Sequence, residues 1–150
     1  MKIAFGCDHG GWLLRDTILQ TLREEHHQVL DLGPDSPEAS DYPDFATPVA
    51  NAVASGEADL GVLACGTGIG MAIAANKVRG AYAANVSDTF SAKMAREHNG
   101  ANIITLGGRT VGTEVAREVL QAFLGSTVSS MARHQRRRKK IKAAEREHEP

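Results

Sequence analysis

Short apolar runs alternate with helical patterns along the whole chain, and this alternation limits the fold more than any other feature. Strands are predicted at Lys2–Cys7, Gln28–Leu32, Ala58–Ala64, Gly80–Ala84 and Asn102–Leu106. Helices are predicted near Gly11–Glu25, Pro43–Ser55, Ile69–Asn76, Asp88–His98 and Gly112–Leu124, with a last one from about Ser130. Leu60–Ala64 is apolar at every position, as a strand covered on both faces is. Strict strand–helix alternation therefore points to an α/β fold, a five-stranded parallel sheet covered on both faces by helices. The 150 residues suit a single domain, 1–150, ending in a basic helix at about 130–148. Asp88 ahead of Thr89-Phe90-Ser91 reads as an N-cap, and Gly125 after Ala122-Phe123-Leu124 as a helix stop.

Chemistry concentrates where the third strand ends, in Ala64-Cys65-Gly66-Thr67-Gly68-Ile69-Gly70. A thiol sits there between a buried strand and a glycine-rich turn that opens a helix. Backbone N–H groups at such a turn attract anions and favour thiolate over thiol. Three familiar loops do not fit. A phosphatase-type cysteine loop needs an arginine six residues after the cysteine, where Met71 stands. A nucleotide P-loop ends in Gly-Lys-Ser/Thr, whereas Gly70 precedes Met71-Ala72, and Met71 also takes the place of the third glycine of G-x-G-x-x-G. Taken alone, the segment is equally consistent with a buried structural cysteine in a tight turn.

Ligands of open parallel sheets bind beyond the carboxyl ends of the strands. That rule gathers Cys7-Asp8-His9, Cys65-Gly66-Thr67 and Gly107-Gly108-Arg109 on one rim, with the polar loop Gly33–Tyr42 as a wall. His98-Asn99 precedes strand five and falls on the opposite rim, so it is either structural or brought to the cleft by a symmetric dimer. Singly, Asp8 can be a helix cap, His9 a surface residue, His98 a helix C-terminal cation, Tyr42 a packing residue and Arg109 a turn charge. Together, an acid, two histidines, a thiol and an anion-binding loop form a set for proton transfer next to a carbonyl.

Charge is distributed unevenly. Residues 1–132 hold nine Lys/Arg against fifteen Asp/Glu, and residues 133–150 hold eight against three. The basic run has no aromatic residue to stack on bases, which argues against nucleic acid and for a small phosphate. Cys7 and Cys65 are placed neither for a disulfide framework nor for a zinc knuckle. With no long apolar segment at the start and none of membrane-spanning length, a soluble, cytoplasmic protein without membrane contact is expected.

These motifs in this order resemble the B-type ribose-5-phosphate isomerases and their relatives acting on allose and galactose 6-phosphates. The resemblance rests on Gly6-Cys7-Asp8-His9, Asp41-Tyr42-Pro43, Cys65–Gly70 with Ile73-Ala74-Ala75-Asn76-Lys77, Arg96-Glu97-His98-Asn99, Gly107-Gly108-Arg109 and Arg133-His134-Gln135. It implies a Rossmann-like three-layer α/β/α sandwich and an aldose–ketose isomerase without cofactor or metal, forming homodimers and in some members tetramers, with active sites between subunits. It makes Cys65 the base, since Ile69 stands where serine-bearing members carry a glutamate base. It also implies that Thr67 relays a proton and that His98, with Asp8, opens the furanose ring. His9, Tyr42, Gly66, Gly68, Ile69, Gly70 and Asn99 would contact substrate, and His9, Arg109, Arg133 and Arg137 the phosphate. Arg136, Arg138, Lys139 and Lys140 exceed the family pattern and have no role in this reading. A pentose phosphate is favoured over a hexose phosphate. A non-catalytic phosphosugar-binding module and a nucleic-acid-binding protein remain the readings from other classes.

Overall fold

The computed structural model describes residues 1–147. Five parallel strands, β1 (Lys2–Cys7), β2 (Gln28–Asp31), β3 (Leu60–Cys65), β4 (Ala83–Asn85) and β5 (Ile103–Gly107), form one sheet in the order β2-β1-β3-β5-β4. Around it lie α1 (Trp12–Glu24), α2 (Pro43–Ser55), α3 (Ile69–Ala75), α4 (Thr89–Met94), α5 (Thr113–Leu124) and α6 (Ala132–Glu147). The expected three-layer parallel α/β architecture is thus the one observed.

Side-chain alternation along the strands divides the core into two layers. Ile3, Phe5 and Cys7 of β1, Val62 and Ala64 of β3, and Ile104 and Leu106 of β5 face α1 and α5, where they meet Leu14, Ile18, Leu22, Val119, Leu120 and Phe123. Ala4, Leu63, Cys65 and Ile103 face the other way, toward Ala46, Val49, Ala50 and Val53 of α2 and Met71 of α3. The second layer is built from smaller residues. A Cβ on Gly6 or Gly61 would lie 3.0 Å from the Val49 side chain, so these glycines let α2 settle close to the sheet. The two cysteines consequently sit on opposite faces, both reduced and buried.

Several boundaries differ from expectation, and at β4 and β3 hydrogen bonds made from outside the strand account for the difference. β4 was expected at Gly80–Ala84 but begins at Ala83. Gly80 turns the chain at φ +86°, and the Asn102 side chain accepts from the Tyr82 N–H and donates to the Gly80 carbonyl, taking groups a ladder would use. β3 begins at Leu60 rather than Ala58, whose N–H closes the end of α2 by donating to the Ala52 carbonyl. The single helix expected over Asp88–His98 is two pieces. Asp88 does cap it, accepting from the Ser91 N–H at 2.7 Å, but α4 ends at Met94 and Ala95–Asn99 widens into a π-helical turn. Such turns collect at functional sites, and this one carries His98. α6 spans 132–147 where 130–148 was expected, and residue 148 lies outside the described residues.

Candidate active site

β1, β3 and β5 are neighbours, so their carboxyl ends deliver three loops to one place. The loops are packed at backbone distance through glycines. A Cβ on Gly10 would lie 2.7 Å from the Gly66 nitrogen, one on Gly11 2.3 Å from the Ala64 carbonyl oxygen, and one on Gly108 2.4 Å from the Gly10 carbonyl oxygen. Hydrogen bonds from the Gly108 N–H to the Cys65 carbonyl and from the Arg109 N–H to the Gly66 carbonyl, at 2.8 and 3.0 Å, complete the seam.

Cys65 ends β3 with its side chain turned back under the following loop. Its Sγ accepts a hydrogen bond from the Gly68 N–H at 3.1 Å. That bond sets a backbone donor directly against the sulfur. The loop is held open by its own chemistry: Gly68 adopts φ +81°, and the Thr67 hydroxyl accepts from the Ile69 N–H at 3.3 Å. The buried Thr105 hydroxyl on β5 donates to the Gly68 carbonyl at 2.8 Å, holding from below the residue whose N–H faces the sulfur.

The walls come from the other loops. Asp8, 5% exposed, accepts from the Gly11 N–H at 2.9 Å and so acts as a turn cap at the mouth of the cleft. His9 Nδ1 lies 3.2 Å from the Ser40 carbonyl oxygen and 3.3 Å from the Ser40 nitrogen, tying the Gly33–Tyr42 loop to the rim. The Tyr42 ring covers Gly70, where a Cβ would approach it to 2.8 Å. The Arg109 side chain passes over Gly66 at 3.5 Å from the position of a Cβ. Asp8, His9, Tyr42, Cys65, Gly66, Thr67, Gly68, Ile69, Gly70 and Arg109 therefore share one rim.

His98, Asn99, Arg133 and Arg137 do not join them within this chain. The π turn lies at the amino end of β5, about 17 Å of strand away from Gly107. There His98 stacks on His134 of α6, ring centroids 4.1 Å apart, and Arg133 Nε donates to His134 Nε2 at 3.2 Å. Arg138, without a role in the sequence reading, anchors this end by donating to the carbonyls of His98 and Ser129 at 3.2 and 2.7 Å. Asn99 opens instead onto a cavity of about 590 Å³ with Tyr82, Arg96, Asn102 and Arg138.

The ribose/galactose isomerase family model matches residues 3–141. The chain belongs to that family. It is 46% identical over 144 residues to ribose-5-phosphate isomerase B of Escherichia coli, covering 96% of each protein. Among solved structures, the type B ribose 5-phosphate isomerase of Trypanosoma brucei superposes with a TM-score of 0.92 at 50% identity, over 95% of this chain and 97% of that one. Ribose-5-phosphate isomerase B of Mycoplasma genitalium, solved with bound ribulose-5-phosphate, gives 0.92 at 40% identity over 97% of both.

Within this isomerase family member, several contributors escaped the sequence reading. Thr105 looks like an ordinary strand residue until the β3–β5 register sets it beneath Gly68, and Ser40 gains its role only when the loop closes on His9. Trp12 packs against the core and beneath the Arg15 guanidinium, which lies 5.2 Å from its ring. Among the described residues, no three His, Cys, Asp or Glu side chains converge as a metal-holding group, and no helix is long and apolar enough to cross a membrane.

Cys7 lies on the opposite face of the sheet from Cys65. Burial pushes its thiol up to about 11, against a smaller lowering from Arg15. Unfolding lowers that value to about 9, so between pH 9 and 11 the unfolded chain sheds a proton that the folded one keeps. Stability should therefore fall across this window by on the order of 2 kcal/mol more in the wild type than in Cys7→Ala. Urea denaturation of both proteins at pH 8.5 and 11 measures the difference.

Proposed function

We propose that the chain interconverts ribose 5-phosphate and ribulose 5-phosphate, with Cys65 carrying the proton between C2 and C1. The observation that carries this reading is the Cys65 sulfur, set at the mouth of a glycine-rich loop and held by the Gly68 N–H at 3.1 Å. The family membership and the ribulose-5-phosphate bound to the Mycoplasma genitalium relative support the substrate class.

In the forward direction the Cys65 thiolate takes the C2 proton of the open-chain aldose. The C–H electron pair forms the C1–C2 double bond, and the carbonyl pair moves to O1, giving a cis-enediolate. Loop amides between Gly66 and Gly70 face the developing charge, and one preorganised donor of this kind is worth about 3–4 kcal/mol in other enzymes. The Thr67 hydroxyl passes the O2 proton to O1, and the Cys65 thiol then returns its proton to C1, leaving the ketone at C2. Proton balance closes without an oxidant or reductant.

Ring opening comes first, and it falls to His98, with Asp8 orienting the sugar hydroxyls. His98 lies at the far end of β5 from Cys65, so the working site combines the Cys65 rim of one subunit with the π turn and α6 of a symmetric partner. Arg133 and Arg137 then meet His9 and Arg109 around the phosphate, while Asn99 and Tyr42 contact the sugar. This use of the basic helix favours a small phosphate over nucleic acid. Two reduced, separated cysteines suit the cytoplasm.

The test is conversion of ribose 5-phosphate by the purified protein with EDTA throughout, alongside allose and galactose 6-phosphates. Faster turnover of the pentose, unchanged by EDTA, supports the reading. Preference for a hexose phosphate overturns the substrate assignment, and no turnover of any of the three overturns the enzyme.

A further inference from the structure

His134 is a buried imidazole to which the mechanism above gives no task. It is 3% exposed, and its Nδ1 has no hydrogen-bond partner among the described residues. Arg133 Nε–H donates to its Nε2, which must therefore keep its lone pair, leaving the ring neutral with the proton on Nδ1. Burial, His98 and the cations Arg133, Arg137 and Arg138 all disfavour protonation. The ring lies parallel to His98, 4.1 Å between centroids and 10° between planes. A residue needed only to fill space here would be apolar, because a buried unpaired donor costs about 1–3 kcal/mol.

We infer that His134 is the positioning residue of the ring-opening step. Its neutral face fixes the plane of His98, while its Nε2 fixes the direction of Arg133. The same side chain thereby couples the histidine that moves the ring proton to an arginine that grips the phosphate. The backbone of the turn is held separately, by Arg138 on the His98 carbonyl and by the Ser129 N–H donating to the Glu97 carbonyl, so the imidazole of His134 is left with side-chain orientation alone. This inference rests on the proposed isomerase reading and goes beyond it in giving ring opening its own support.

Ribulose 5-phosphate separates the two steps, since it has no free hydroxyl placed to close a furanose on C2. Deuterium uptake at its C1 in D₂O needs Cys65 and the enediolate but no ring chemistry. In His134→Ala, ribose 5-phosphate turnover should fall about 10- to 100-fold, part of what a positioned acid–base group supplies. At saturating ribulose 5-phosphate, C1 exchange should stay within about twofold of wild type, the loosened Arg133 showing in KM alone. His134→Phe restores a flat partner but no acceptor, so turnover should recover to within about threefold while KM for ribose 5-phosphate stays raised, about 10-fold for one loosened charged hydrogen bond. Exchange and turnover falling together in His134→Ala would overturn the inference, as would turnover left unchanged. A wild type that neither exchanges nor turns over would remove the isomerase reading itself.

Discussion

Cys65→Ala should lower ribose 5-phosphate turnover by about three orders of magnitude or more, with little change in stability. The side chain is small and 5% exposed, so the lost volume is about that of one sulfur atom. Its chemistry has no stand-in. Asp8 has an oxygen committed to the Gly11 N–H, and His9 is tied to Ser40. A positioned base contributes about 100- to 10,000-fold, and here the same group also reprotonates C1, so both halves of the reaction fail together. Cys65→Ser should be nearly as inactive. Its hydroxyl can still accept from the Gly68 N–H, but it ionises far above neutral pH. Steady-state rates for the two variants, with Cys7→Ala as the active control, check this. More than a tenth of wild-type activity in Cys65→Ala would place the base elsewhere.

The second large effect is expected at Gly68. An added Cβ would lie 2.3 Å from Asn85 Oδ1 and 3.0 Å from the Leu106 backbone, at a φ of +81° that side chains rarely adopt. The Asn85 side chain can swing away, but Leu106 belongs to β5 and cannot. The loop must move instead, taking the Gly68 N–H from Cys65 and the Gly68 carbonyl from Thr105. Gly68→Ala should therefore lower kcat about 100- to 1,000-fold, as removal of one oxyanion-type donor does. Overpacking should cost about 1–3 kcal/mol of stability. Thr105→Val separates the causes: it leaves the left-handed residue in place and removes only the hydroxyl under the loop, so kcat should fall by a smaller factor. An unchanged kcat in Gly68→Ala would show that this amide takes no part.

What the sequence made legible follows from which interactions are local. The alternation of apolar runs and helices revealed the layers, and the Cys65–Gly70 turn revealed its own geometry, because a thiol and closely spaced glycines act on neighbours. The winding of the chain already separated His98 from Cys65. What stayed hidden depends on contacts far apart in sequence. Asn102 displaces the start of β4 across 20 residues, Thr105 supports Gly68 across 37, and Arg138 holds the His98 carbonyl across 40. The π turn also gave no signal, since Ala95–Asn99 continues the helical pattern of α4 without a glycine or proline to mark where it widens. In the basic tail, residue types alone could not tell Arg138, a structural anchor, from Arg133 beside His134.

The central claim is a catalytic site shared between two chains, Cys65 from one and His98 from the other. Cys65→Ala and His98→Ala proteins should each be nearly inactive on ribose 5-phosphate alone. When they are unfolded together in equal amounts and refolded, random pairing makes half the dimers mixed, each with one site intact and one doubly defective. Activity should return to about one quarter of the wild-type rate. No recovery from a refolded mixture whose wild-type control regains full activity would contradict the shared site and return both residues to a single chain.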